Sequence, residues 1–253
     1  MIGASWMPAS DKLRDDPIVE AILGLRFATP ELQEVVVGRL SDIDLWRGLQ
    51  KTRLPAASIP EPLRAVNPAL QFSPTIEIRG AAGIGAVRIG GDVLNLHFMR
   101  PYAGWEKVFP CMGDVVNAMF KAVPTLKLSR LGLRYVNVFT TSRHDVKSAH
   151  DLAVTLRIGD TPIVGPINVS FSTESGHQHL SQTRIVSRPF LQGQLEADAA
   201  AAADIDVFTP NQFSCDSAPN AISWIDQAHT LEKAAFRRLL PDPLYDKLRS
   251  PLQ

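Results

Sequence analysis

The sequence predicts an α+β protein in which a strand, helix, three strands and helix unit occurs twice in tandem, giving an antiparallel sheet with helices packed on one face. Three observations predict it. Leu23-Gly24-Leu25-Arg26-Phe27 returns as Leu131-Gly132-Leu133-Arg134-Tyr135, and a spaced echo of this kind marks a duplicated supersecondary unit. Each copy leads through several alternating apolar segments to a long helical pattern opened at a tryptophan, Trp105 or Trp224, and stopped by a proline, Pro124 or Pro241. A chain of 253 residues that is 45% hydrophobic and 21% charged can fill a sizeable core. The boundaries that follow are a polar leader over 1–16, a first repeat over 17–124, a second over 125–241 and a tail over 242–253, with both repeats in one compact domain.

In the first repeat, residues 18–27 read as a strand, with Leu23, Leu25 and Phe27 on one face and Glu20, Ile22, Gly24 and Arg26 on the other. Thr29-Pro30-Glu31 then signals a helix start, with Leu32, Val35, Val36 and Leu40 as its buried stripe. Four prolines, Pro55, Pro60, Pro62 and Pro68, break any long element between 41 and 68, which reads as a surface excursion. Strands follow over 70–79, 85–90 and 92–100, separated by glycine turns. The Gly80 to Gly85 run lies between two strands and lacks the Lys-Ser/Thr of a phosphate loop, so it reads as a hairpin turn. Trp105, Val108, Met112, Val115, Val116, Met119 and Phe120, spaced by threes and fours, give a helix over 104–123.

The second repeat follows the same order with shorter parts. A strand over 126–141 is followed by a weak helix over 149–156, strands over 163–174, 180–189 and 190–208, and a closing amphipathic helix over 221–240. Alanine favours helix, so the region Ala197 to Ala203 reads as strand only because Ile205, Val207 and Phe208 continue it and the repeat demands it.

Charge and cysteine content exclude several function classes. Lys plus Arg and Asp plus Glu both number 26, so no global field draws the chain to nucleic acid or to an anionic membrane. Cys111 and Cys215 have no CxxC or Cys/His spacing and read as buried thiols of a reducing compartment. With neither a signal-like run nor an apolar stretch of membrane-spanning length, the expected location is the cytoplasm. No nucleophile elbow, HExxH or compact carboxylate set is present, and no catalytic residue is assigned. His177 and His179 with Glu174 nearby could begin a metal site, but no further ligand is identifiable, so neither a metal nor a cofactor is expected.

Several segments together carry a resemblance: Pro17-Ile18-Val19-Glu20-Ala21, Pro101-Tyr102-Ala103-Gly104-Trp105-Glu106, Ser129 to Asn137, Asp204-Ile205-Asp206-Val207-Phe208, and the last helix. In this order they resemble a sporadically distributed bacterial and archaeal family of similar length, a family without an assigned function. That sporadic occurrence implies an accessory role, such as one in defence or in a toxin and antitoxin pair. The duplicated order also looks like folds repeated about a pseudo-twofold axis, among them the TATA-binding-protein saddle and the domains related to gyrase inhibitor and SOUL proteins.

If the two first strands meet near such an axis, Glu20, Gly24 and Arg26 face the same side as Arg130, Gly132 and Arg134. That face is the candidate ligand-binding surface. Its glycines would permit close backbone approach and its guanidiniums could hold a carboxylate or phosphate, unless Arg26 and Arg134 merely pair with Glu20 or Glu77 across strands. Asn95 and His97 occupy the polar face of their strand and could line the same concavity, while Tyr102 is either an aromatic wall or, with Trp105, a helix anchor. The expected function is non-enzymatic binding of a small anionic molecule or a protein partner, with nucleic acid and membrane disfavoured. The alternative is an enzyme whose cleft assembles Glu20, Arg26, His97 and Arg134.

Overall fold

In a computed structural model, residues 13–81, 83–174, 178–188 and 198–249 are described. Most of the leader, His177 of the two-histidine motif, and 190–197 of the expected last strand lie outside them.

The chain is α+β, with a large antiparallel sheet and helices on one side. The first half contributes β1 (Ile18–Ala28), α1 (Gln33–Ser41), β2 (Lys51–Arg53), α2 (Glu61–Val66), β3 (Ile76–Arg79), β4 (Ala86–Ile89), β5 (Val93–Met99) and α3 (Trp105–Ala122). The second contributes β6 (Lys127–Thr140), α4 (Thr141–His144), β7 (Arg157–Ile158), β8 (Thr161–Pro162), β9 (Asn168–Glu174), β10 (Leu180–Ser187), β11 (Ala199–Phe208), α5 (Ala218–Leu239) and α6 (Asp242–Leu248). Among the described residues nine strands form one sheet in the order β2-β3-β4-β5-β1-β6-β11-β10-β9, and β7 pairs with β8 in a separate ribbon.

Period-two alternation builds the sheet. Ala21, Leu23, Leu25 and Phe27 of β1 and Leu131, Leu133 and Tyr135 of β6 are buried against Val108, Met112, Val115 and Met119 of α3 and Ala221, Trp224 and Ile225 of α5. A second cluster gathers Phe139, Ile185, Ala201, Ala203, Ile205 and Leu239 beneath the other end of α5. The alanine run is strand: Ala199 to Ala203 are hydrogen-bonded into β11 between β6 and β10, so sheet pairing overrides helix propensity.

Several boundaries differ from the sequence reading. Helix α1 begins at Gln33 with no side-chain cap, because Thr29 bonds the Glu31 amide in a turn ahead of it. Leu32 and Val35 of the expected stripe point to solvent, and the burial falls to Val36 and Leu40. The weak helix shrinks to one turn at Ala149–Asp151. Trp224 does not open its helix: α5 starts at Ala218, and the Trp224 indole stacks on His179 and donates to the Gln178 carbonyl at 3.0 Å. Trp105 does open α3, stacked on His229 with centroids 3.9 Å apart. The excursion carries β2, α2 and the buried Trp46, and the region read as a tail contains α6.

Candidate functional site

Strands β1 and β6 lie side by side at the centre of the sheet, with Gly24 opposite Gly132, Arg26 opposite Arg130 and Ile22 opposite Arg134. Because the leucines of both strands point into the helices, Glu20, Gly24 and Arg26 share the helix-free face with Arg130, Gly132 and Arg134. Strand β5 adds Asn95 beside Gly24 and His97 beside Ile22. Tyr102 is on the other side of the sheet: its hydroxyl lies 2.9 Å from that of Tyr135, whose ring is buried among the core residues, and it takes no part in this face.

The arginines of the seam find partners that the sequence reading did not name. Arg134 grips Asp204 through two nitrogens, at 2.7 and 2.5 Å, and Arg130 reaches Asp206 at 3.2 Å while lying over the Phe208 ring. Neither expected partner is used. Glu77 instead holds Arg79 and Arg88 at 2.6 and 2.8 Å, and Glu20 meets His97 Nδ1 at 2.7 Å. Arg26 has no carboxylate within hydrogen-bonding distance among the described residues and stacks on Phe72, 4.3 Å from the ring centroid. Asp204 and Asp206 were nonetheless visible: Asp-Ile-Asp before Val207 puts two carboxylates on one strand face.

Burial and pairing tune these groups. The hydrogen bond from His97, opposed by desolvation, lowers the Glu20 carboxyl below its ordinary range. The bond to Asp204 holds the Arg134 guanidinium charged more firmly, whereas burial and then the neighbouring Arg130 lower Arg26. Desolvation raises Asp206 despite its two arginine neighbours.

The glycines have a packing role. A Cβ at position 132 would lie 2.9 Å from Arg130 Nη1 and 3.4 Å from Asp206 Oδ1, and one at position 24 would lie 3.3 Å from Asn95 Oδ1. The space above the seam is therefore occupied by the protein's own side chains. Gly132→Ala is expected to displace the flexible end of Arg130 and weaken its bond to Asp206, a modest change readable as loss of the guanidinium NMR signal's protection.

Beside the seam, Arg134, Ser170, Gln182, Arg184, Asp204 and Asp206 enclose an open hollow of about 310 Å³. Every lining side chain is polar. Arg184 is steadied by Asn168 at 3.1 Å and Gln182 by Ser170 at 3.3 Å. Glu20, His97 and Arg134 approach one another electrostatically, but Arg26 sits six residues along β1 from Glu20, roughly 20 Å away at strand rise. The four residues of the alternative enzymatic cleft do not meet at one point.

Arg134→Ala is expected to change folding stability by less than about 1 kcal/mol in urea unfolding, since its side chain is nearly half exposed and such pairs contribute little. Among the described residues no group of three or more His, Cys, Asp or Glu side chains is placed to hold a metal ion. No helix among them is long and apolar enough to cross a membrane. Neither protein-family models nor curated proteins yield a match to this chain.

Proposed function

We propose that the chain is a non-enzymatic recognition module whose helix-free sheet face docks a protein partner. The hollow beside the seam carries this reading. It is open and lined by polar side chains, whereas small-molecule sites are concave and mostly apolar; protein interfaces are wet at the rim and favour arginine anchors. A small anion at the seam is the weaker occupant, because Arg130 and Arg134 already hold carboxylates. Half-sequestered ion pairs add little to stability, so a row of them serves specificity better than folding. For the enzymatic alternative, the contact between Glu20 and His97 is the one supporting feature.

The same reading includes the duplication. Leaving aside the three-residue edge strand β2 and the β7–β8 ribbon, the strand order runs β3-β4-β5-β1 and then β6-β11-β10-β9, so each half places its first strand at the centre and its last beside it, and Gly24 faces Gly132 at the junction. This supports two copies about a pseudo-twofold axis, comparable to the TATA-binding-protein saddle and to gyrase-inhibitor and SOUL-related domains. Free Cys111 and Cys215 favour the cytoplasm. Membership of the sporadic family, with an accessory role in defence or in a toxin and antitoxin pair, belongs to the proposal as well.

The test is affinity capture from the cells that make the protein, comparing the unaltered chain with an Arg134→Glu, Arg184→Glu variant and identifying bound proteins by mass. A specific partner should be depleted at least roughly tenfold by the double charge reversal, as expected for anchor residues of an interface. Equal recovery of every bound protein by both forms would sink the reading.

A further inference from the structure

We infer that a second site, on the helix-covered side between α1 and the β2 edge, binds the phosphate monoester of a small hydroxylated molecule. Here α1, β2, α2 and β3 line an open hollow of about 580 Å³, within the usual range of roughly 300–1,000 Å³ for ligand pockets. The site is independent of the docking face, which lies across the sheet.

Its charge is lopsided in a chain that is neutral overall. Lys51 and Arg53 alternate along β2, so both side chains fall on the side of Ile76 and Ile78, their register partners in β3. Neither makes an ion pair or hydrogen bond among the described residues, although both line the hollow. Arg64 joins them from α2, its Nε held by the Ile59 carbonyl at 3.2 Å, which leaves its terminal nitrogens available; Asp92, outside the lining, feels its charge. Among the described residues, Glu34 is the one carboxylate in the lining. Three cations against one anion leave about two positive charges, which matches the charge of −1.5 to −2 of a phosphate monoester at neutral pH better than that of a single carboxylate.

A second, independent feature lies at the end of α1. Ser41 lines the hollow and is 4% exposed, and its hydroxyl is buried with no hydrogen-bond partner among the described residues. Buried polar groups are ordinarily satisfied, so an orphaned hydroxyl on a residue that lines the same hollow as three cations points to a ligand oxygen. Gly38, one turn earlier, would carry its Cβ into open space, so that surface of α1 leaves the hollow wide. Glu34 can accept from a hydroxyl of the ligand body, and Ile76 supplies an apolar wall, which is why the inferred ligand is a hydroxylated phosphoester rather than bare phosphate.

Ribose 5-phosphate is the probe, with ribose and inorganic phosphate as comparison arms, followed by amide NMR shifts and calorimetry on the full chain. Saturable binding of ribose 5-phosphate is expected, with shifts confined to α1, β2 and the segment before β3. It should weaken with salt and exceed the binding of either comparison compound. Lys51→Gln and Arg53→Gln should each weaken it by roughly tenfold, as for a lost charge-assisted bond; both positions are exposed, so the variants should fold. Ser41→Ala should weaken it less, and Arg157→Gln on the distant β7 ribbon should not change it. Absence of saturation, equal binding of ribose, shifts on the helix-free face, or affinity unaltered by both β2 substitutions would each overturn the inference.

Discussion

Glu232→Gln is expected to leave stability unchanged near pH 4 and to raise it progressively above that, reaching its full gain by about pH 8. Glu232 sits on the buried side of α5, 5% exposed, and desolvation followed by the nearby Asp16 pushes its carboxyl from the ordinary 4.5 up to about 8. The folded chain therefore keeps a proton that the unfolded chain has released between those two pH values. The unfolded state binds fewer protons there, so stability falls as pH rises through the window and levels off above it. At 1.36 kcal/mol per pKa unit the upper limit of this loss is about 5 kcal/mol. Glutamine has no proton to lose and escapes it.

His229, one turn earlier on α5, contributes the opposite slope. Burial first, and Lys233 second, lower its imidazole from 6.5 to about 4, with Trp105 stacked on the ring and the Tyr135 hydroxyl 3.4 Å from Nδ1. Here the unfolded state takes up the proton first, so stability is lost as pH falls from 6.5 to about 4. The two slopes oppose between 4.5 and 6.5, which makes a mildly acidic plateau the optimum for this pair. Urea unfolding from pH 4 to 9 checks both signs. A Glu232→Gln midpoint that tracks the unaltered protein at every pH would remove the linkage.

Trp46→Ala should be among the most damaging single substitutions, at about 3–5 kcal/mol, because it empties one of the largest fully buried side chains of the main cluster. The indole has a second task. Its Nε1 donates to the Leu40 carbonyl at 2.8 Å, in the last turn of α1, where helix carbonyls lack intrahelical partners. Trp46→Phe keeps most of the apolar contact and loses that bond, so it should cost nearer 1–2 kcal/mol. Comparable losses for the two variants would mean that the hydrogen bond rather than the packed volume carries the contribution.

The central strands were legible because period-two alternation of Leu, Phe and Tyr leaves little freedom in which face is buried. The polar face was legible for the same reason, which is why Glu20, Gly24, Arg26, Asn95, His97, Arg130, Gly132 and Arg134 do share it. Their partners were not. Arg134 and Asp204 are 70 residues apart, and only the β6–β11 register brings them together. Trp46 was missed because the four prolines that follow it in the same stretch speak for surface, while the burial of a single indole leaves no periodic trace. Of the two readings of Tyr102 the wall of the polar face is the one that does not hold, because a residue just past a strand end can turn to either side and this one packs against the core. The two tryptophans misled as a matched pair because Trp105 opens its helix and Trp224 lies beyond the first turn of its own.

The terminal strands of the sheet differ in kind. Strand β2 has three residues, two of them Lys51 and Arg53, and a short cationic border of this type repels further strands. Strand β9 has seven, three of them serine or threonine with Phe171 among them, and is long enough to template another strand. Among the described residues, the nine-stranded sheet presents one border of this kind. Two chains joined there would use up that border on both, and the outer edge of each sheet in the pair would be the short cationic β2.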